Sequence, residues 1–513
     1  MIPVRKIVLL ALFFYSINLF SQAQLLKESK IISSNHETNG IIASDISGFY
    51  NYRVNNVAGV PHLYIEKRSL ESLETMFSQE LIGYSKLQEL VRRSNPYIET
   101  FFVNKKVYCF YNYIDNEKDT MYVMLQTVTE GGVVSDMYNV LKVYTRNTFA
   151  SADIKFSPDG KQFLVAPNAA SEYLNPFDPN GKPLIELKTA LYESESLNLL
   201  WEKNISKYVE GKSYRVSNLQ TDNNGNLYFL INEDYKAPVL SVIERASPTI
   251  KKFSDLLLHE YEYSALSISI LPNGNVLLAG VFEDKIKKIK GFHSDPSLFV
   301  RVVDPNTLLV KTNKDYPFSM DIVSKLSQGR DQGKPSPTAV PHSQFNGPIV
   351  SVYNSGFFYL IQDVFYNVGK ISGFIQFKDA ICFDLDFEGN LKYSTIIPKH
   401  KDFITYSKMD VDILTNEDEA NILLQESTIL ENKNFSEYES VSMDSPKKDK
   451  HNVVIAKFQA GKLQKIKLRE NINSLPRLTP KNNNCILAPG KVLVVLLENT
   501  KNNQIQFASY KIN

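Results

Sequence analysis

The feature that most constrains this chain is a recurring turn. Short apolar runs are joined again and again by two to four residues rich in Asn, Asp and Gly. Ser157-Pro158-Asp159-Gly160-Lys161 precedes an apolar run at 162–165, and Asp222-Asn223-Asn224-Gly225 precedes one at 227–231. Pro272-Asn273-Gly274, Asn354-Ser355-Gly356 and Ala488-Pro489-Gly490 stand in the same relation to runs at 276–279, 357–361 and 492–497. Two weaker copies lie at Asn104 and Asn416. Asp-Gly and Asn-Gly between apolar runs signal tight hairpins, because the turn needs a positive φ. The seven turns recur at a mean spacing of about 64 residues, wider than the roughly 40–50 of compact propeller repeats. Long interstrand loops account for the excess.

Between these hairpins lies a second set, at 191–201, 240–250, 299–308, 381–392 and 454–464, in which apolar and charged residues alternate. A continuously apolar hairpin followed by an alternating one gives four antiparallel strands per repeat, with the first pair buried deepest. That gradient argues against a two-sheet sandwich, where alternation should be uniform. The chain therefore resembles the β-propeller superfamily, and its Ser-Pro-Asp-Gly-Lys turn resembles those of exported TolB-like propellers with six to eight blades. The likeness covers residues 97–513 and implies fold rather than function. The expected architecture is all-β: a propeller of about seven four-stranded blades with a short helical insertion near the N-terminus.

Three segments are expected from this reading. Residues 1–23 read as a signal peptide: Arg5 and Lys6 precede an apolar stretch at 7–20, and Ser21-Gln22-Ala23 places small residues where signal peptidase cuts, before Gln24. Residues 24–96 read as a closing strand plus the helical insertion, and 97–513 as the propeller. Only one strand fits after the last hairpin of the first kind, so the final blade needs a strand from the N-terminus to remove its open edge. Residues 41–43 or 49–53 are the candidates. Leu70, Leu73, Phe77 and Leu81, then Leu87, Leu90 and Val91, follow helical spacing over 69–93, with Gly83 as a break.

Composition limits the functional classes. Of 57 Lys and Arg, 55 remain without Arg5 and Lys6, against 56 Asp and Glu, a net charge of −1. Such a chain has no global attraction for nucleic acid or anionic membrane. After the leader no apolar run is long enough to span a bilayer. Cys109, Cys382 and Cys485 each sit in an apolar run and are expected as buried thiols. The seven histidines stand apart, without HxH or HExxH spacing, and neither a GxSxG elbow nor a P-loop occurs. Neither a metal nor a cofactor is expected. Asp384 and Asp386 share a strand face but border the Gly389 turn, so a surface hairpin is the expectation there.

The expected binding loop is 329–348, rich in Gly and Pro, with Arg330, Lys334, His342 and Gln344 as its polar candidates. The first functional reading is a non-enzymatic interaction module in the periplasm or at the outer-membrane periphery of a diderm bacterium. Its partner would be a protein, in one version an outer-membrane transport or secretion machine. The alternatives are a propeller hydrolase or lyase acting on glycans or peptides, and a glycan-binding module favoured by the 12% aromatic content.

Overall fold

The computed structural model describes residues 23–30, 32–33, 38–90, 97–145, 151–168, 186–205, 214–233, 237–247, 249–253, 256–258, 260–284, 296–307, 309–323, 343–368, 373–397, 402–403, 412–416, 419–427, 451–469, 485–499 and 504–512. They form eight antiparallel sheets. In seven of them the four strands lie side by side in chain order, over residues 38–80, 97–144, 151–204, 214–253, 261–317, 343–397 and 412–469. These are blades 1 to 7. Blade 8 consists of Cys485–Ala488, Val492–Asn499 and Gln504–Lys511, completed from the N-terminus by Gln24–Glu28 and the short Ile32–Ser33, both paired with Gln504–Lys511.

The first strands of blades 1 and 2 touch, as do those of blades 3 and 4, 4 and 5, 5 and 6, 6 and 7, and 7 and 8. Thr38–Ser44 of blade 1 touches Cys485–Ala488 of blade 8, so the ring closes. Apolar side chains fill every gap between blades. The gap between blades 8 and 1 holds Phe49, Val494 and Phe507; that between 1 and 2 holds Tyr50, Leu63 and Tyr111; that between 4 and 5 holds Tyr228, Leu240 and Leu278. The core is thus a ring of inter-blade layers, and each sheet is apolar on both faces near the axis. The continuous apolar character of the inner hairpins has this cause.

The turns behave as their composition requires. Gly160 and Gly225 have φ of 68° and 81°, and a Cβ on Gly160 would stand 2.5 Å from Val103. Only glycine fits there without strain.

The expected blade count of about seven is corrected to eight, and the missed blade is the first. Its inner hairpin, Thr38–Ser44 with Gly48–Val57, turns through Asp45-Ile46-Ser47. The Asp45 carboxylate accepts hydrogen bonds from the Ser47 and Gly48 amides at 2.8 and 2.9 Å, a side-chain-built turn that lacks the Asn-Gly signal. The segments expected to close the ring, 41–43 and 49–53, are therefore inner strands of blade 1. Closure by the N-terminus does occur, through Gln24–Glu28 against Gln504–Lys511, with Gln24 opposite Lys511 and Leu25 opposite Tyr510.

Among the described residues of 69–93 the helix covers Ile82–Leu90, and 91–93 lie outside the described residues. Thr75–Glu80 is the outer strand of blade 1, paired with Val60–Ser69. Gly83 lies within the helix and does not break it. Tyr84 and Leu87 pack this helix against the core between blades 1 and 2. All three cysteines are free and buried, and burial pushes the Cys109 and Cys382 thiols far up, which makes them poor nucleophiles. Among the described residues no helix is long and apolar enough to cross a membrane.

Candidate functional site

The two ends of the ring differ. Connections from first to second and from third to fourth strand are short, from two residues at 104–105 to eight at 130–137. Connections from second to third strand, and from one blade to the next, reach 23 residues at 428–450 and 25 at 318–342. In an antiparallel blade the two kinds leave from opposite ends, so one end carries only tight turns.

That end is held by hydrogen bonds between blades. Asn104 Nδ2 donates to the Gly160 carbonyl at 3.1 Å, linking blades 2 and 3. The Asp159 amide donates to Asn223 Oδ1, and Gln162 Nε2 to the Asn223 carbonyl, each at 3.1 Å, linking 3 and 4. Trp201 Nε1 donates to the Gly225 carbonyl at 3.0 Å, and Thr415 Oγ1 to that of Val352 at 3.2 Å. Turns tied in this way make a rigid platform.

A cavity of about 450 Å³ opens in it. Four successive inner strands supply its wall: Phe156 and Ile270 end those of blades 3 and 5, and Gln220 and Val352 are next to last in those of blades 4 and 6. Pro158, Asp159, Asn223 and Pro272 add the rim. Phe156, Ile270 and Val352 make part of the lining apolar, while the Gln220 and Asn223 amides and the Asp159 carboxylate give it polarity. Burial works to raise the Asp159 pKa, but the Lys161 amide, the Ser157 hydroxyl and the Lys161 ammonium outweigh it, so Asp159 is held below the usual carboxylate range and is ionised at neutral pH.

The inner strands of blades 4, 5 and 6 are bulged in this sector. Asn218, Ala265 and Gly347 take φ of 55°, 48° and 108°, and the pairing register shifts around each. Tyr359 of blade 6 donates its hydroxyl to the Ala265 carbonyl and pins the middle bulge. Bulges of this kind deflect a strand and re-aim its side chains.

Of the expected binding-loop residues, Gln344 alone is among the described ones. Arg330, Lys334 and His342 lie outside the described residues. Gln344 stands on the inner strand Ser343–Tyr353 of blade 6, opposite Val364. The turn-face cavity escaped the sequence reading because its wall residues are some fifty to eighty positions apart. The signal that could have found them is their equivalent place, one or two residues before each inner turn.

His62, Glu80 and Ser85 cluster: His62 Nδ1 lies 2.7 Å from Glu80 Oε1 and 3.3 Å from Ser85 Oγ, and Ser85 Oγ donates to the same Glu80 oxygen at 2.8 Å. Acid and hydroxyl thus meet one ring nitrogen, whereas a proton relay needs them on opposite ones. The hydrogen bonds from His62 and Ser85 hold the Glu80 carboxyl low. Asp386 accepts from the Asn390 amide and side chain at 2.7 Å each, and Asp384 accepts from the Tyr353 hydroxyl, so both are structural. No group of three or more metal-ligating side chains occurs among the described residues.

The fold is an eight-bladed β-propeller. No family model matches the chain, and no curated protein does. Solved structures similar to it include a post-proline cleaving enzyme from Rickettsia typhi, at 11% identity over 90% of this chain and 57% of that one, with a TM-score of 0.39. The β-propeller domain of the Trilobed protease from Pyrococcus furiosus is similar at 10% identity, over 81% of this chain and 95% of that one, with a TM-score of 0.33. TolB from Acinetobacter baumannii is similar at 10% identity, over 93% and 80%, with a TM-score of 0.29. The chain spans little more than half the length of the post-proline enzyme. With scores this low the likenesses lend no argument about activity, and the fold assignment rests on the eight sheets.

Proposed function

We propose that this propeller is an exported, non-enzymatic interaction module that works in the periplasm as an accessory subunit of an outer-membrane transport or secretion machine. The observation that carries the reading is the turn face: a platform tied across blades, opened by one amphipathic cavity whose wall comes from four inner strands. Apolar lining beside side-chain amides and one carboxylate suits a polypeptide segment, whose apolar side chain meets the lining while its backbone meets the amides. The leader-like residues 1–23 support export, and the near-neutral charge fits a protein partner better than nucleic acid.

The test is capture by the tagged mature chain from detergent-solubilised envelopes, run beside Ile270→Asp and Val352→Asp variants. The expected result is one stoichiometric envelope protein with the wild type and about tenfold weaker capture with either variant, the equivalent of about 1.4 kcal/mol. Recovery of the chain alone, or equal capture by the variants, would sink the proposal.

A further inference from the structure

Once cut after Ala23, the chain would have no slack before the closing strand. Gln24 is its first residue and is already opposite Lys511, with Leu25 opposite Tyr510. Gln24 is also the residue that cleavage after Ala23 would leave at the amino terminus. A terminal glutamine carries its nucleophile and its electrophile in one residue, since the α-amine can reach its own side-chain carbonyl carbon in a five-membered ring. The Gln24 side chain is exposed.

We propose that Gln24 is a modification site and that it cyclises to pyroglutamate in the exported chain; the inference rests on the export reading. In the step, the α-amine nitrogen forms a bond to Cδ. The bond from Cδ to the amide nitrogen breaks, and that nitrogen leaves as ammonia with the proton the amine gives up. Nothing is oxidised or reduced, and no co-reactant is needed.

The register gives the modification a structural consequence. An uncyclised terminus carries an ammonium at the end of the strand that pairs with Gln504–Lys511. The lactam removes that charge. It keeps one ring N–H and the main-chain carbonyl, so the pairing with Gln504–Lys511 survives. It also blocks aminopeptidases. In the cut chain no residue precedes the paired ones, so trimming Gln24 and then Leu25 would remove a rung each and begin to expose the edge of Gln504–Lys511.

The experiment is the intact mass, at neutral pH, of the full chain after export by its own leader, with the amino-terminal peptide sequenced by mass spectrometry. The expected peptide starts at residue 24 and is lighter by one ammonia than its free-amine form. The Gln24→Ala variant, cut at the same place, shows no such loss and is shortened by an aminopeptidase that leaves the wild type intact. A peptide that starts at Gln24 and keeps a free amine overturns the cyclisation alone. A peptide that starts elsewhere overturns the export site, and the cyclisation with it.

Discussion

Replacing Glu66 by alanine lowers the stability of the ring by about 3–5 kcal/mol, read as a midpoint shift in urea denaturation at unchanged slope. Glu66 is buried in blade 1 beside two guanidiniums. Arg68 Nη2 donates to its Oε2 at 2.7 Å and Arg53 Nε to its Oε1 at 2.9 Å, while Asn51 Nδ2 lies 3.2 Å from Oε2. Arg68 is itself buried; it donates to Asn51 Oδ1 and the Leu73 carbonyl, and its guanidinium stands 4.9 Å over the Phe507 ring of blade 8. Truncating Glu66 strands this cation at the seam where the ring closes, and an uncompensated buried charge is the costly outcome. The pH dependence has a definite sign. Burial alone would raise the Glu66 pKa, but Arg68, then Arg53 and Asn51, outweigh it and hold the carboxyl below its ordinary 4.5. A depressed folded value stabilises the fold above the unfolded pKa and is lost as pH falls through the folded one. The wild type therefore loses stability below about pH 4.5, and the Glu66→Ala variant loses less over the same window.

The second large effect is expected at Phe163, which has no exposed surface in the gap between blades 2 and 3. Its ring lies 5.4 Å from Phe110, 5.6 Å from Phe156 and 5.3 Å from Tyr192, centroid to centroid, with the last pair stacked. Phe163→Ala removes the ring from all three and leaves a cavity walled by sheets that cannot move together without breaking their own ladders. The expected loss is about 3–5 kcal/mol in the same denaturation experiment. Tyr138→Ala, at an exposed aromatic on the outer strand of blade 2, changes stability by no more than about 0.5 kcal/mol. Equal losses at the two positions would contradict a core built of inter-blade layers.

Much of this architecture is legible in the chain because the repeat is written in turns. Seven of the eight inner hairpins carry the signal, and Gly160, Gly225, Gly274 and Gly490 stand at positive φ where it places them. The eighth turn is built by the Asp45 side chain, and no dipeptide signals it. The closing strand has no buried position, so no alternation marks it. Leu73 and Leu81 are both buried beside the outer strand of blade 1, and their spacing satisfies helix and strand-plus-turn alike. The turn-face cavity needed the ring itself, because only blade-to-blade stacking brings Phe156, Gln220, Ile270 and Val352 together.

The central claim is a ring of eight blades closed by Gln24–Glu28, and a cross-link tests it most directly. Gln24 and Lys511 are opposite each other in the last blade. Directly paired antiparallel residues have Cα atoms about 4.5–5.5 Å apart, within disulfide reach. The three native thiols are buried and do not compete. The Gln24→Cys, Lys511→Cys double variant should form one intramolecular disulfide on mild oxidation, remain monomeric and melt no lower than the reduced form. Persistent free thiols in a folded monomer would show that another segment closes the ring, and would contradict the account.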